Sequence, residues 1–170
     1  MKALVIYFSR ADENYFGGQY RFIKKGNTEV VAEFIKELTG ADLFKVERLV
    51  DYSPNYNECI KEAQVEQRKG ERPALKSTLK SIDEYDVIFI GAPIYWGTMP
   101  QPMFTQLEAL DFKGKIVMPF TTHEGSGLAG VVRDITQIAK GANIKSGLAI
   151  LGSSVNESKP KLERWIKENL

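Results

Sequence analysis

Apolar positions along this chain follow two different periods. Residues 3–8, 86–91, 115–120 and 146–151 carry nearly continuous apolar runs, the pattern of strands covered on both faces, and residues 42–46 alternate as a shorter strand. Between them the spacing turns helical. Val30, Val31, Phe34, Ile35 and Leu38 form one stripe that starts at Asn27 and stops at Gly40. Further helices are predicted over residues 56–69, through Phe104, Leu107 and Leu110, over 128–139, and from about residue 157 with Leu162, Trp165 and Ile166 on one face. The resulting order, βαβαβαβαβα, predicts an α/β protein: a doubly wound α/β/α sandwich built on right-handed crossovers.

Two stretches fit neither period. Residues 71–85 read as an irregular charged connection. Residues 11–25 hold glycines, charges and four aromatics in fifteen positions (Tyr15, Phe16, Tyr20 and Phe22). They read as an ordered excursion at the carboxyl edge of the sheet, a small hairpin turning at Gly17 and Gly18. A solvated insertion would not need so many aromatic side chains; these are expected to cover something.

Composition narrows the class without naming a function. With 170 residues, 43% hydrophobic and 26% charged, the chain suits one domain over residues 1–170. No apolar run nears the ~20 residues of a membrane helix, and the N-terminus lacks the pattern of a signal peptide. Cys59 is the one cysteine, so no internal disulfide forms, and a cytoplasmic setting is expected. The formal net charge is +1 with the signs interspersed, so no nucleic-acid stripe is present and long-range steering of a charged partner is weak.

In a doubly wound sheet the loops after the first, third and fourth strands converge at one edge, where ligands bind. The first offers Ser9, Gly26, Asn27 and Thr28 at a helix entry: hydroxyls, an amide and a small residue suited to a phosphate. Helix capping alone would also explain Asn27 or Thr28. The lysine of a nucleotide P-loop and the Gly-x-Gly-x-x-Gly of a dinucleotide fold are both missing. The second loop, residues 92–100, sets Tyr95 and Trp96 beside Gly97 among turn-forming residues, which favours a flat ligand. The third, residues 121–127, supplies hydroxyls, glycines, Glu124 and His123, the one histidine. With no nucleophile beside it, His123 reads equally well as a loop residue held by hydrogen bonds, and neither a catalytic group nor a metal site is expected.

Taken together, Ser9-Arg10, Gly26-Asn27-Thr28, Pro93-Ile94-Tyr95-Trp96-Gly97 and Thr122-His123-Glu124-Gly125-Ser126-Gly127 resemble the flavodoxin-like family, and within it the small bacterial flavodoxins. The resemblance covers nearly the whole chain. It implies a five-stranded parallel sheet of order 2-1-3-4-5 and noncovalent FMN. Ser9, Arg10, Gly26, Asn27 and Thr28 would bind the phosphate. Pro93, Ile94, Tyr95, Trp96 and Gly97 would line the flavin ring, with Trp96 stacking on it. Thr122, His123, Glu124, Gly125, Ser126 and Gly127 would close the other side. Two departures stand out: residues 11–25 split the phosphate loop, and the chain lacks the strong acidity of electron-carrier flavodoxins. The implied function is electron transfer to a redox partner protein or a small-molecule acceptor. The alternative is an FMN-dependent quinone or nitro reductase using NAD(P)H. A receiver-like domain of similar topology would want an acidic cluster after the first strand, where this chain has Tyr7-Phe8-Ser9.

Overall fold

A computed structural model describes all residues, 1–170. Strand β1 (Ala3–Tyr7) lies inside a parallel sheet between β4 (Asp42–Lys45) and β5 (Val87–Pro93); β6 (Ile116–His123) follows β5. The fifth position is filled by two short pieces, β7 (Asn143–Ile144) and β8 (Leu148–Leu151), both parallel to β6. Counted by position, the order is the expected 2-1-3-4-5. The expected single strand over 146–151 starts later, at Leu148, because Lys145-Ser146-Gly147 interrupts the edge.

Alternation along β1 explains why its sequence is apolar throughout. Leu4, Ile6 and Phe8 pack into one core layer with Ile88, Ile90, Met103 and Ile135, while Val5 and Tyr7 pack into the other with Val31, Ile35, Phe89 and Trp165. Helices α1 (Asn27–Thr39) and α5 (Lys159–Asn169) cover the second layer; α2 (Tyr56–Arg68), α3 (Gln101–Leu107) and α4 (Val131–Ile138) cover the first. None of these helices is long and apolar enough to cross a membrane.

Several boundaries differ from the sequence reading. Strands β5 and β6 run beyond residues 91 and 120, pairing Ala92 with Thr121 and Pro93 with Thr122, because the ladder between them continues to the sheet edge. Pro93, Thr122 and His123 are therefore strand-end residues, not loop residues. Helix α4 starts at Val131 after a turn, and a 3-10 segment (Gly152–Glu157) precedes α5, which starts at Lys159.

Residues 11–25 form the expected hairpin, β2 (Asp12–Phe16) against β3 (Gln19–Ile23), as a separate two-stranded sheet. Gly17 and Gly18 both take positive φ (61° and 86°), as a two-residue turn of this twist requires.

Candidate functional site

The two halves of the divided first loop meet at the entry of α1. Gly26 is its N-cap and has no side chain to cap with. Ser9 does that work from the far side of the insertion: its Oγ accepts the Glu29 N–H at 3.0 Å. A Cβ on Gly26 would lie 2.2 Å from Ser9 Oγ and 2.7 Å from the Arg10 carbonyl oxygen, so this approach needs glycine. Val30 N–H closes the first helical turn on the Gly26 carbonyl, leaving the N–H groups of Asn27 and Thr28 at the open end of the helix. Below them, Thr28 Oγ1 and Thr122 Oγ1 share a buried hydrogen bond of 2.7 Å that ties α1 to the end of β6.

Arg10 is placed differently from a phosphate ligand. Nε donates to Cys59 Sγ at 3.1 Å, Nη1 to the carbonyls of Ala11 and Glu13, and Nη2 to those of Ser53 and Pro54. All five N–H donors of the guanidinium are thereby engaged inside the chain. Its work here is to fasten the hairpin to the residues that lead into α2. Glu13 adds a second fastening, its carboxylate accepting the Tyr56 N–H at 2.9 Å. Tyr15, Tyr20 and Tyr56 then cluster with ring centroids 5.4–6.5 Å apart. Only Tyr15 and Tyr20 approach the start of α2, and both stay largely exposed; Phe22 is 69% exposed, so the hairpin aromatics cover less than their number suggested.

In the second loop, Tyr95 and Thr98 pair across a two-residue turn in which Trp96 (φ 53°) and Gly97 (φ 85°) both have positive φ. A tryptophan held left-handed is strained by roughly 1–3 kcal/mol. Helix α2 holds it there: Trp96 Nε1 donates to the Ile60 carbonyl at 2.7 Å, and Gln67 Nε2 donates to the Trp96 carbonyl at 2.9 Å. The Gly97 carbonyl accepts the Gly130 N–H at 2.8 Å. Trp96 keeps 47% exposure, so its ring is still available at the rim. The Tyr95 ring packs on Phe8 and Tyr52, and burial pushes its phenol well above the ordinary range.

The third loop is closed by bonds between its side chains and its own backbone. Thr121 Oγ1 donates to the Gly127 carbonyl at 2.8 Å, and the Gly125 N–H donates to His123 Nδ1 at 2.9 Å. His123, the last residue of β6, therefore has one ring nitrogen engaged by the backbone that follows it. Glu124 Oε1 is buried with no hydrogen-bond partner; it lies near Asn27 Nδ2 where both approach Gly152.

These three loops, the hairpin and α2 enclose a cleft of about 410 Å³. Of the residues expected at the site, Arg10, Asn27, Thr28, Pro93, Ile94, Tyr95, Trp96, Thr122, His123, Glu124 and Ser126 line it. Ser9, Gly26, Gly97, Gly125 and Gly127 do not; they shape the backbone that does. Asn14, Tyr15, Tyr56, Cys59, Ile60 and Ala63 also line it and were not expected. The cleft is two-ended in chemistry. One end offers helix N–H groups, hydroxyls and an orphan carboxylate, and the other offers flat rings. A molecule with an anionic head, a hydroxylated chain and a planar ring matches both ends, and FMN is such a molecule.

The flavodoxin family model matches residues 19–169. The chain belongs to the flavodoxin family. Its matched segment begins inside the hairpin, so β1 and Ser9-Arg10 fall outside it while the other two loops fall within. No curated protein matches this flavodoxin. Among solved structures it is similar to a candidate flavoprotein of Bacteroides uniformis, with 29% identity, a TM-score of 0.75, and coverage of 98% of this chain and 97% of that one. A candidate flavoprotein of Bacteroides eggerthii shares 27% identity with a TM-score of 0.71, covering 97% and 98%. At 20% identity, an FMN complex of a flavoprotein from Lactobacillus acidophilus shares the fold, with a TM-score of 0.62 and coverage of 92% and 97%.

Proposed function

We propose that this flavodoxin holds FMN noncovalently in the cleft and passes electrons through it. The observation that carries the reading is the two-ended cleft: unpaired N–H groups at the start of α1 at one end, the Tyr95-Trp96 turn at the other. FMN supplies the capacity to take and give electrons; the chain supplies binding, orientation and electrostatics. Asn27 and Thr28 bind the phosphate through backbone N–H groups, favoured by the helix dipole. Arg10 holds the wall of the cleft in place of ligating phosphate. Glu124 Oε1, lacking a partner in the chain, accepts from a hydroxyl of the ribityl chain. Trp96 packs on the ring from a turn that α2 keeps from relaxing.

The near-neutral charge of +1 argues against a partner captured by a strong global field. The setting proposed is the cytoplasm, where the buried Cys59 stays a thiol. The test is a titration of the apoprotein with FMN and with riboflavin, followed by flavin fluorescence. FMN should be bound more tightly, each lost phosphate hydrogen bond costing roughly 1.5–3 kcal/mol. Equal affinity for the two would overturn the phosphate assignment, and no quenching by either would overturn the flavin reading. Anaerobic reduction of the holoprotein, followed by reoxidation with an added acceptor, tests the electron-transfer step.

A further inference from the structure

We propose that the outer edge of the hairpin, along β3, is a docking site for an extended acidic segment of a partner protein, which adds to it as a third strand. The proposal needs the hairpin and not the cofactor, so it stands or falls apart from the flavin reading.

The first argument is the open ladder. The Glu13 N–H leaves the hairpin to bond the Pro54 carbonyl, so the backbone groups of Glu13 point away from β3. Bonded and non-bonded pairs alternate along an antiparallel ladder, and Phe22 stands opposite Glu13 as Tyr20 stands opposite Tyr15. The N–H and carbonyl groups of Tyr20 and Phe22 therefore point outward from the other side of the hairpin. No backbone hydrogen bond joins residues 19–24 to any part of the chain beyond the hairpin. Such an edge takes an extended segment through its main chain.

The second argument is the side chains. Tyr20 and Phe22 share one face of the hairpin and are 58% and 69% exposed. Arg21 stands on the opposite face, its guanidinium 5.0 Å from the centre of the Phe16 ring. A segment that alternates apolar and acidic residues suits both faces, with its apolar side chains against Tyr20 and Phe22 and a carboxylate against Arg21.

The third argument is charge, which selects the occupant. From β3 to the start of α1 the chain carries Arg21, Lys24 and Lys25 and no acid, and of these Lys25 alone is in an ion pair, with Glu33 at 2.7 Å. The acids of the hairpin, Asp12 and Glu13, lie on β2, and Glu13 is engaged by the Tyr56 N–H. A second copy of the chain would bring its own cations to this edge. The antiparallel register that sets each Tyr20 across from the other's Phe22 also sets the two Arg21 side chains directly opposite, a destabilising pair. An acidic strand meets no such repulsion.

The site also has a useful place in the fold. Strand β2 supplies Asn14 and Tyr15 to the wall of the cleft, and β3 lies beyond it. A strand added to β3 sits two strand spacings from β2, roughly 10 Å. The docked segment flanks the cleft without entering it.

The experiment is a titration of a rhodamine-labelled peptide of alternating glutamate and valine with the full-chain protein in the presence of FMN, read as fluorescence anisotropy. Saturable binding is expected. A peptide with lysine in place of glutamate should not saturate, and one with its central valine replaced by proline should bind more weakly, because proline forfeits a ladder bond. Arg21→Glu reverses the charge, and Phe22→Pro removes an outward N–H while leaving the pairing with β2; each should raise the Kd roughly three- to tenfold. Circular dichroism checks that both variants are folded, and if Phe22→Pro is not, Arg21→Glu decides. Failure to saturate, equal binding of the lysine peptide, or an unchanged Kd for the folded variants overturns the proposal. Equal binding of the proline peptide overturns strand addition. A dimer seen by sedimentation without peptide, and dispersed by Phe22→Pro, makes a second copy the occupant and overturns the acidic partner. A protein that binds the peptide but takes up no FMN supports this inference while the flavin reading falls.

Discussion

The two sides of the cleft are built by different means. The side formed by α1 and the end of β6 grows out of the core: its cleft-lining positions sit on strand ends and a helix start, fixed by a buried Thr28–Thr122 hydrogen bond. The side formed by the hairpin and the start of α2 lies outside the main sheet, and side chains bonded to backbone hold it there, Arg10 above all. The difference teaches that one wall of the cleft is a product of the main sheet, whereas the other is a separate piece that one arginine fastens in place.

That comparison can be broken from either side. The largest effect is expected for Arg10→Lys, which keeps the charge but cannot reproduce a five-donor fork. One charge-assisted bond is worth roughly 1.5–3 kcal/mol and several are lost, so thermal unfolding should show the largest drop in stability of any variant here. Limited proteolysis should show faster cleavage at Arg21 while the preference for FMN over riboflavin persists. Gly26→Ala comes next. Its methyl group would press on Ser9 Oγ and the Arg10 carbonyl, at an overpacking cost of about 1–3 kcal/mol, and FMN titration should show weaker binding because the entry of α1 must shift.

Thr28→Val is the converse of Arg10→Lys. It strands the Thr122 hydroxyl in a buried place, costing about 1–3 kcal/mol in denaturant unfolding, and should narrow the gap between FMN and riboflavin affinities. Gln67→Leu should have a smaller effect, about 1 kcal/mol, seen as a change in Trp96 fluorescence when the strained turn loses its support.

A pH series sharpens the contrast on the α2 side. Tyr52 is held above its ordinary value of 10.0, chiefly by burial and then by its hydrogen bond to Glu66. Below that value the phenol is protonated in both folded and unfolded chains and its contribution is intact. Above it the unfolded chain gives up the proton first, so stability falls as pH rises. Chemical denaturation from pH 9 to 11 should show this decline, and Tyr52→Phe should make it shallower.

Much of the first side could be read from the sequence because its motifs have local causes. A glycine before a helical stripe and hydroxyls at strand ends keep their meaning in any doubly wound sheet. The strand extensions to Pro93 and His123 could not be read, since they depend on the ladder between β5 and β6 and not on either segment's own composition. The second side was legible only as an excess of aromatics between residues 11 and 25 and a glycine pair for the turn. What they cover was hidden, because Tyr56, Ile60 and Ala63 lie on a helix whose spacing looks merely polar. The bonds of Arg10 were hidden for a related reason. A basic residue beside a phosphate loop suggests a ligand, and only the carbonyls brought near it by residues 53 and 54 show that it is a fastener.

The interrupted last strand has a consequence for the molecule's behaviour in a crowded solution. An open sheet ends in unpaired backbone groups that invite a neighbouring chain to add itself. Here one border offers only the four residues of β4, and the other is broken into segments of two and four residues, β7 and β8. Neither border of the main sheet gives an intruding strand a long straight template.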